Sequence, residues 1–89
     1  MVHELKTDPQ PFQAVLDDQK TFELRQNDRN FKIGDELHLK ETVYSSAEMV
    51  KGQPLEYTGR CIAVKVTFAL YGPIYGLQDG WCVMGIVRT

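Results

Sequence analysis

Eighty-nine residues, 43% hydrophobic and 25% charged with a formal net charge of −2, set the first bounds. That length suits one domain, residues 1–89, near the lower end of sizes that bury a self-sufficient core. It holds no apolar run of about 18 residues, so a membrane span is excluded. The acidic balance also argues against a protein that grips nucleic acid through a large basic surplus, whose affinity falls steeply with salt. Any such binding has to come from a local patch or from a pocket that reads a base. Met1-Val2-His3-Glu4-Leu5-Lys6 carries charges where a signal peptide needs an apolar stretch, which predicts a cytoplasmic protein. Cys61 and Cys82 stand in separate apolar segments without a C-x-x-C pattern, as reduced thiols do. His3 and His38 lack a spaced partner, so neither a metal site nor a cofactor is predicted.

In chain order, Val2 to Lys6 alternates and predicts a short strand, with His3 and Leu5 on one face and Glu4 and Lys6 on the other. Asp8 and Pro9 suit the cap and first position of a helix, and Phe12, Val15 and Leu16 give it one apolar stripe. Lys20 to Arg25 reads as a strand. Lys20, Phe22 and Leu24 share one face, and Thr21, Glu23 and Arg25 share the other. Asn27 to Asn30 is turn-like, and Gly34-Asp35 is a tight turn in which Gly34 supplies a positive φ. From Glu36 to Glu41 alternation resumes with Leu37 and Leu39 inward. Residues 42–56 are irregular, with a helical turn expected around Ala47 to Val50. Tyr57-Thr58-Gly59-Arg60 reads as a turn leading into a strand with Ile62, Val64, Val66, Phe68 and Leu70 on one face. Tyr71 to Gly80 is a loop by composition, and Trp81 to Val87, nearly all apolar, reads as a strand buried on both sides. The sum is a mainly β, α+β domain of about five strands with one N-terminal helix and a possible further helical turn. With so few residues its sheet is expected to curl into a small barrel plugged by that helix.

Chemistry is concentrated between Lys20 and Arg29. On the face it shares with Phe22 and Leu24, the Lys20 amine is expected at the margin of the core, where desolvation favours a base or nucleophile. Glu23 and Arg25, at i and i+2, are suited either to a surface ion pair of roughly 0–1 kcal/mol or to ligand recognition. In the second case the carboxylate accepts from an exocyclic amine and the guanidinium holds a phosphate or stacks on a base. Arg29 stands in the adjoining turn, His3 on the core-facing side of the first strand, and Tyr75 in the loop where an aromatic ring can cover a pocket.

These same residues carry a family resemblance. A strand and helix followed by Lys20-Thr21-Phe22-Glu23-Leu24-Arg25, and then by a Gly34-Asp35 turn before a strand, resembles the ASCH domain of the PUA-like superfamily. His3-Glu4-Leu5-Lys6, Asn27-Asp28-Arg29, Tyr57-Thr58-Gly59-Arg60 and Gly80-Trp81-Cys82-Val83-Met84-Gly85-Ile86 extend the likeness over nearly the whole chain, toward a compact bacterial and phage branch. The resemblance implies a PUA-like β-barrel with a cleft beside the helix and the Lys-Thr-x-Glu-x-Arg strand. It also implies RNA binding, and the leading expectation is a pocket for RNA or a nucleotide lined by Lys20, Glu23, Arg25 and Arg29, with His3 and Tyr75 beside them. Some small ASCH members hydrolyse the amide of N-acetylated cytidine without a metal, using a lysine, a threonine three residues later and a distant glutamate. The lysine carries over to Lys20, whereas the threonine position holds Glu23 here. The enzymatic alternative therefore gives Lys20 and Glu23 general acid–base roles. A third reading is a protein-binding adaptor of phage or mobile-element origin.

Overall fold

The computed structural model describes all residues from Met1 to Thr89. Strand β1 (Val2–Thr7) buries His3, Leu5 and Thr7 and leaves Val2, Glu4 and Lys6 exposed, the period-two pattern of a half-buried strand. Helix α1 (Pro9–Leu16) follows, with proline in its first turn, where a missing N–H costs nothing. At only eight residues it is too short to persist on propensity. Burial of Phe12 and Val15 in the core holds it in place. Strands β2 (Phe22–Gln26) and β3 (Glu36–Thr42) come next, then helix α2 (Ser46–Val50). A capping box closes the start of α2: the Ser45 side chain accepts from Glu48 N–H, and the Glu48 side chain accepts from Ser45 N–H. Strands β4 (Tyr57–Tyr71) and β5 (Trp81–Arg88) complete the chain.

The five strands form one sheet in the order β1-β3-β4-β5-β2. β1 runs parallel to β3, and every other pair is antiparallel. The sheet curls into a half-barrel, giving a mainly β, α+β domain. Its concave side carries the core, in which Phe12, Phe31, Leu37, Leu39, Val64, Val66 and Met84 are almost wholly buried. No helix is long and apolar enough to cross a membrane.

Three sequence expectations are corrected. The segment Tyr57 to Arg60 belongs to β4; Gly59, at φ +94°, lets the backbone turn within the strand without ending it. Further along β4 the register shifts between Val66 and Phe68, which inverts the alternation. Val66 and Ala69 point inward while Phe68, expected inward, is 59% exposed. β5 is not buried on both sides: Cys82, Met84 and Ile86 are buried, whereas Trp81, Val83 and Gly85 are half-buried. Burial pushes the Cys82 thiol up from its ordinary value, so it is an inert core group.

The tight turn before β3 anchors the first strand. Asp35 Oδ2 lies 2.9 Å from His3 Nε2 and accepts from Lys32 N–H at 3.0 Å. Burial pushes the Asp35 carboxyl up. The His3 hydrogen bond, the Lys32 N–H and the Met1 ammonium together outweigh it and hold the group below the usual carboxylate value. A carboxyl lowered by folding contributes stability that is full above its unfolded pKa and lost as pH falls through the folded value. Urea unfolding of wild type and Asp35→Asn between about pH 6 and about pH 2.5 checks this. Asp35→Asn is expected to be the less stable protein at the upper end and to lose less stability on acidification. Parallel acid profiles would contradict it.

Candidate ligand cleft between the edge strands

The strand order leaves β1 and β2 as the two edges of the half-barrel. Ile86 N–H donates to Thr21 O at 3.0 Å and Asn27 N–H donates to Gly80 O at 2.8 Å. These bonds fix the odd-numbered residues as those that pair with the neighbouring strand. The backbone groups of Phe22, Leu24 and Gln26 therefore face the open edge. On β1 the phase is set by Glu36 N–H donating to Met1 O at 2.9 Å, which turns the carbonyls of Glu4 and Lys6 away from β3 and toward the gap.

Arginine side chains cross that gap. Arg25 Nη1 donates to Lys6 O at 2.9 Å and Arg25 Nη2 donates to Thr7 Oγ1 at 3.2 Å. Arg29 Nη1 donates to Glu4 O at 2.8 Å. Two guanidiniums thus occupy carbonyls on β1 that a sixth strand would otherwise use. Only a forked donor does this: Arg25 serves Glu23, Lys6 and Thr7 from three nitrogens at once, which a lysine ammonium cannot match in geometry.

The third Arg25 bond explains an unexpected burial. Phe22 and Leu24 were expected inward by parity, yet they are 46% and 51% exposed, and Glu23 lies inside with a side chain only 3% exposed. A carboxylate there carries a desolvation cost of several kcal/mol unless cations and hydrogen bonds compensate it. Lys20 Nζ donates to Glu23 Oε1 at 2.7 Å, and Arg25 Nε donates to Glu23 Oε2 at 2.9 Å. Lys20 precedes the first residue of β2 and reaches Glu23 from the strand's approach, with its Nζ also 5.1 Å from the Phe22 ring centroid.

Beside these groups the cleft has two lobes. One, about 370 Å³, lies against Lys6, Thr7, Pro11, Lys20 and Glu23. The other, about 440 Å³, lies against Leu5, Gln26, Asp28, Arg29 and Trp81. Lys6, Leu24, Arg25 and Ser46 border both, which makes Arg25 the partition between them. Ser46 is fixed at the margin by Asp8, whose Oδ1 accepts from Ser46 N–H at 3.1 Å and from Ser46 Oγ–H at 2.8 Å. Asp8, expected to cap α1, makes no side-chain bond to that helix and ties down the start of α2.

Lys20, Glu23, Arg25 and Arg29 are therefore brought to one cleft. His3 and Tyr75 are not. His3 is 5% exposed, paired with Asp35 and edge-on to the Phe31 ring at 4.9 Å, so its chemistry belongs to the core. Tyr75 is 91% exposed in the β4–β5 loop and borders neither lobe. Lys6, Ser46 and Trp81 also border the cleft. The outward parity of Lys6 was visible in the sequence, but that β1 is an edge strand was not. A second ion cluster, Glu41 with Arg60 and Thr58, sits elsewhere. The Arg60 hydrogen bond, opposed by burial and aided by Thr58, holds the Glu41 carboxyl below its usual range. Its arms fasten the start of β4 to β3 and to Gln13 of α1.

These features define a small half-barrel with a charged cleft between its two edge strands. The sequence model of the family described as Domain of unknown function (DUF3850) matches residues 2–86, and the chain belongs to that family. No curated protein matches the chain.

If Arg25 and Glu23 depend on each other, their substitutions are not additive. Arg25→Gln is expected to cost about 1.5–3 kcal/mol, the range for hydrogen bonds to charged groups. Arg25→Gln with Glu23→Gln should cost less than the sum, with a coupling of about 0.5–3 kcal/mol. Urea unfolding of the two single variants and the double variant measures it, and additive losses would show that the pair is not a unit.

Proposed function

We propose that the chain binds RNA or a nucleotide in the cleft between β1 and β2. The observation that carries the reading is the charge arrangement around the Arg25 partition. Lys6 has no carboxylate partner, and the Arg29 guanidinium donates to a single backbone carbonyl, leaving nitrogens of both free for an anion. Leu24 and Trp81 supply apolar wall beside them, and Asp28 supplies an acceptor. Cations next to an aromatic wall suit a phosphate joined to a base. The resemblance to ASCH domains, carried by this same strand, is in keeping with the reading. A binding site with two or three free cations on an acidic chain engages few phosphates, so its affinity depends only weakly on salt.

A second reading, a metal-independent amidohydrolase acting on an N-acetylated cytidine-type nucleoside, draws on one distance: Lys20 Nζ to Glu23 Oε1, 2.7 Å, beside the first lobe. Such a pair can pass a proton when a substrate separates it. Binding is favoured over catalysis because each Glu23 oxygen already receives a cationic donor, so accepting a substrate proton requires breaking a bond that offsets burial.

A thermal-shift screen against nucleosides, nucleotides and short RNA tests the first reading, since a ligand that binds only the folded state raises Tm. Lys6→Ala and Arg29→Ala are each expected to weaken binding about tenfold to hundredfold. A fall in affinity with salt corresponding to one to three phosphates, about 0.7 per phosphate on a log–log plot, is expected. No stabilisation by any of these ligands would remove the binding reading. Absence of deacetylation across a set of acetylated nucleosides would remove the enzymatic one.

A further inference from the structure

The outward face of β2, β5 and the second half of β4 is apolar and unpartnered. Register sets two rows across it: Phe22, Gly85 and Phe68 in one, Leu24, Val83 and Leu70 in the other. Phe22, Leu24 and Phe68 are each about half exposed, and Val83 and Leu70 are partly so. The shift in register at Thr67 places Phe68 on this face; regular alternation would bury it. Gly85, between the two rings, bears no side chain, and a Cβ there would come within 3.1 Å of Thr67 Oγ1. The two phenylalanines thus flank a strip that carries no side chain from Gly85 and is overlain by the Thr67 hydroxyl, their strands about 9–10 Å apart at two strand spacings.

Two further observations say what covers this face. It is continuous with the cleft: Phe22 and Leu24 border the first lobe, and Leu24 and Trp81 border both the second lobe and a hollow of about 280 Å³ against Gly76 and Leu77. Its charge is one-sided. No carboxylate stands among the outward side chains of β2, β5 and residues 66–71 of β4. Lys20 Nζ lies 5.1 Å from the Phe22 ring centroid, and Lys65 stands beside Val87 at the far end. Aromatic rings on a face that bears no carboxylate of its own, with Lys65 at one end and the free cations of the cleft at the other, match a strand that alternates stacking bases and phosphates.

We infer that the occupant of the cleft is a single strand of RNA several nucleotides long, which crosses the Leu24 rim and stacks bases on Phe22 and Phe68. The inference rests on the binding reading of the cleft and selects a polymer over a mononucleotide. Phe68 lies outside the cleft and is largely exposed, so Phe68→Ala removes a stacking ring without touching the ion pairs.

Fluorescence anisotropy with a mixed-sequence RNA octanucleotide, and competition by the ribonucleoside 5′-monophosphates, tests it on the full chain. The octanucleotide should bind more tightly than any monophosphate. Phe68→Ala should weaken octanucleotide binding about 5- to 100-fold, the range for one stacked base, and leave monophosphate binding and Tm unchanged. Monophosphate binding without any gain for the octanucleotide, or an octanucleotide affinity indifferent to Phe68→Ala, overturns the inference while the cleft reading stands. No binding of either ligand overturns both. Sedimentation covers the remaining occupant: a wild-type dimer that Phe68→Ala dissociates, with RNA affinity unchanged, assigns the face to a second copy and overturns the inference.

Discussion

A single buried carboxylate organises the open side of this half-barrel. Glu23 lies on the concave side of an edge strand, where an unpaired charge would carry a desolvation cost comparable to a large share of a small domain's stability. Lys20 and Arg25 each engage one of its oxygens. Holding Arg25 on Glu23 through Nε also aims its two terminal nitrogens across the gap at β1. The buried charge and the closure of the sheet are thus one arrangement. Its cost is local and its return is structural, because unpaired edges invite association with other chains.

The same arrangement accounts for the cleft. A sixth strand would satisfy both edges and leave no hollow. Guanidiniums satisfy carbonyls at Glu4 and Lys6 and still leave space on either side of Arg25. Among the charged groups that border the two lobes, Lys6, Lys20, Arg25 and Arg29 outnumber Asp8, Glu23 and Asp28 by one, although the chain as a whole is acidic. Arg25 is held at three points, so its guanidinium has already given up its rotamer freedom.

Much of the fold was legible because it rests on short-range rules. The alternation of β1 and of Leu37 and Leu39, the helix stripe of Phe12 and Val15, and the positive φ of Gly34 follow from residue type and spacing. What the sequence hid was pairing. Parity alone puts the apolar Phe22 and Leu24 inward; the opposite choice is tolerable only because Lys20 and Arg25 reach Glu23 and because β2 is an edge. Neither fact is local. The shift at Thr67 likewise depends on how β4 meets β5, and it moves Phe68 from the expected core to the surface. For the cleft, residue chemistry singled out Lys20, Glu23, Arg25 and Arg29, which the fold brings to one hollow. It could not show that His3 is committed to Asp35, or that Lys6 and Trp81 border the cleft, since those placements follow from strand order.

The most direct measurement of the account is an amide and guanidinium NMR titration of the full chain with short single-stranded RNA. Shifts concentrated at Lys6, Leu24 to Arg29 and Trp81, including the Arg25 Nε resonance, are the predicted result. Shifts confined to the Glu41–Arg60 end of the sheet, or a spectrum that saturating RNA leaves unchanged, would contradict it.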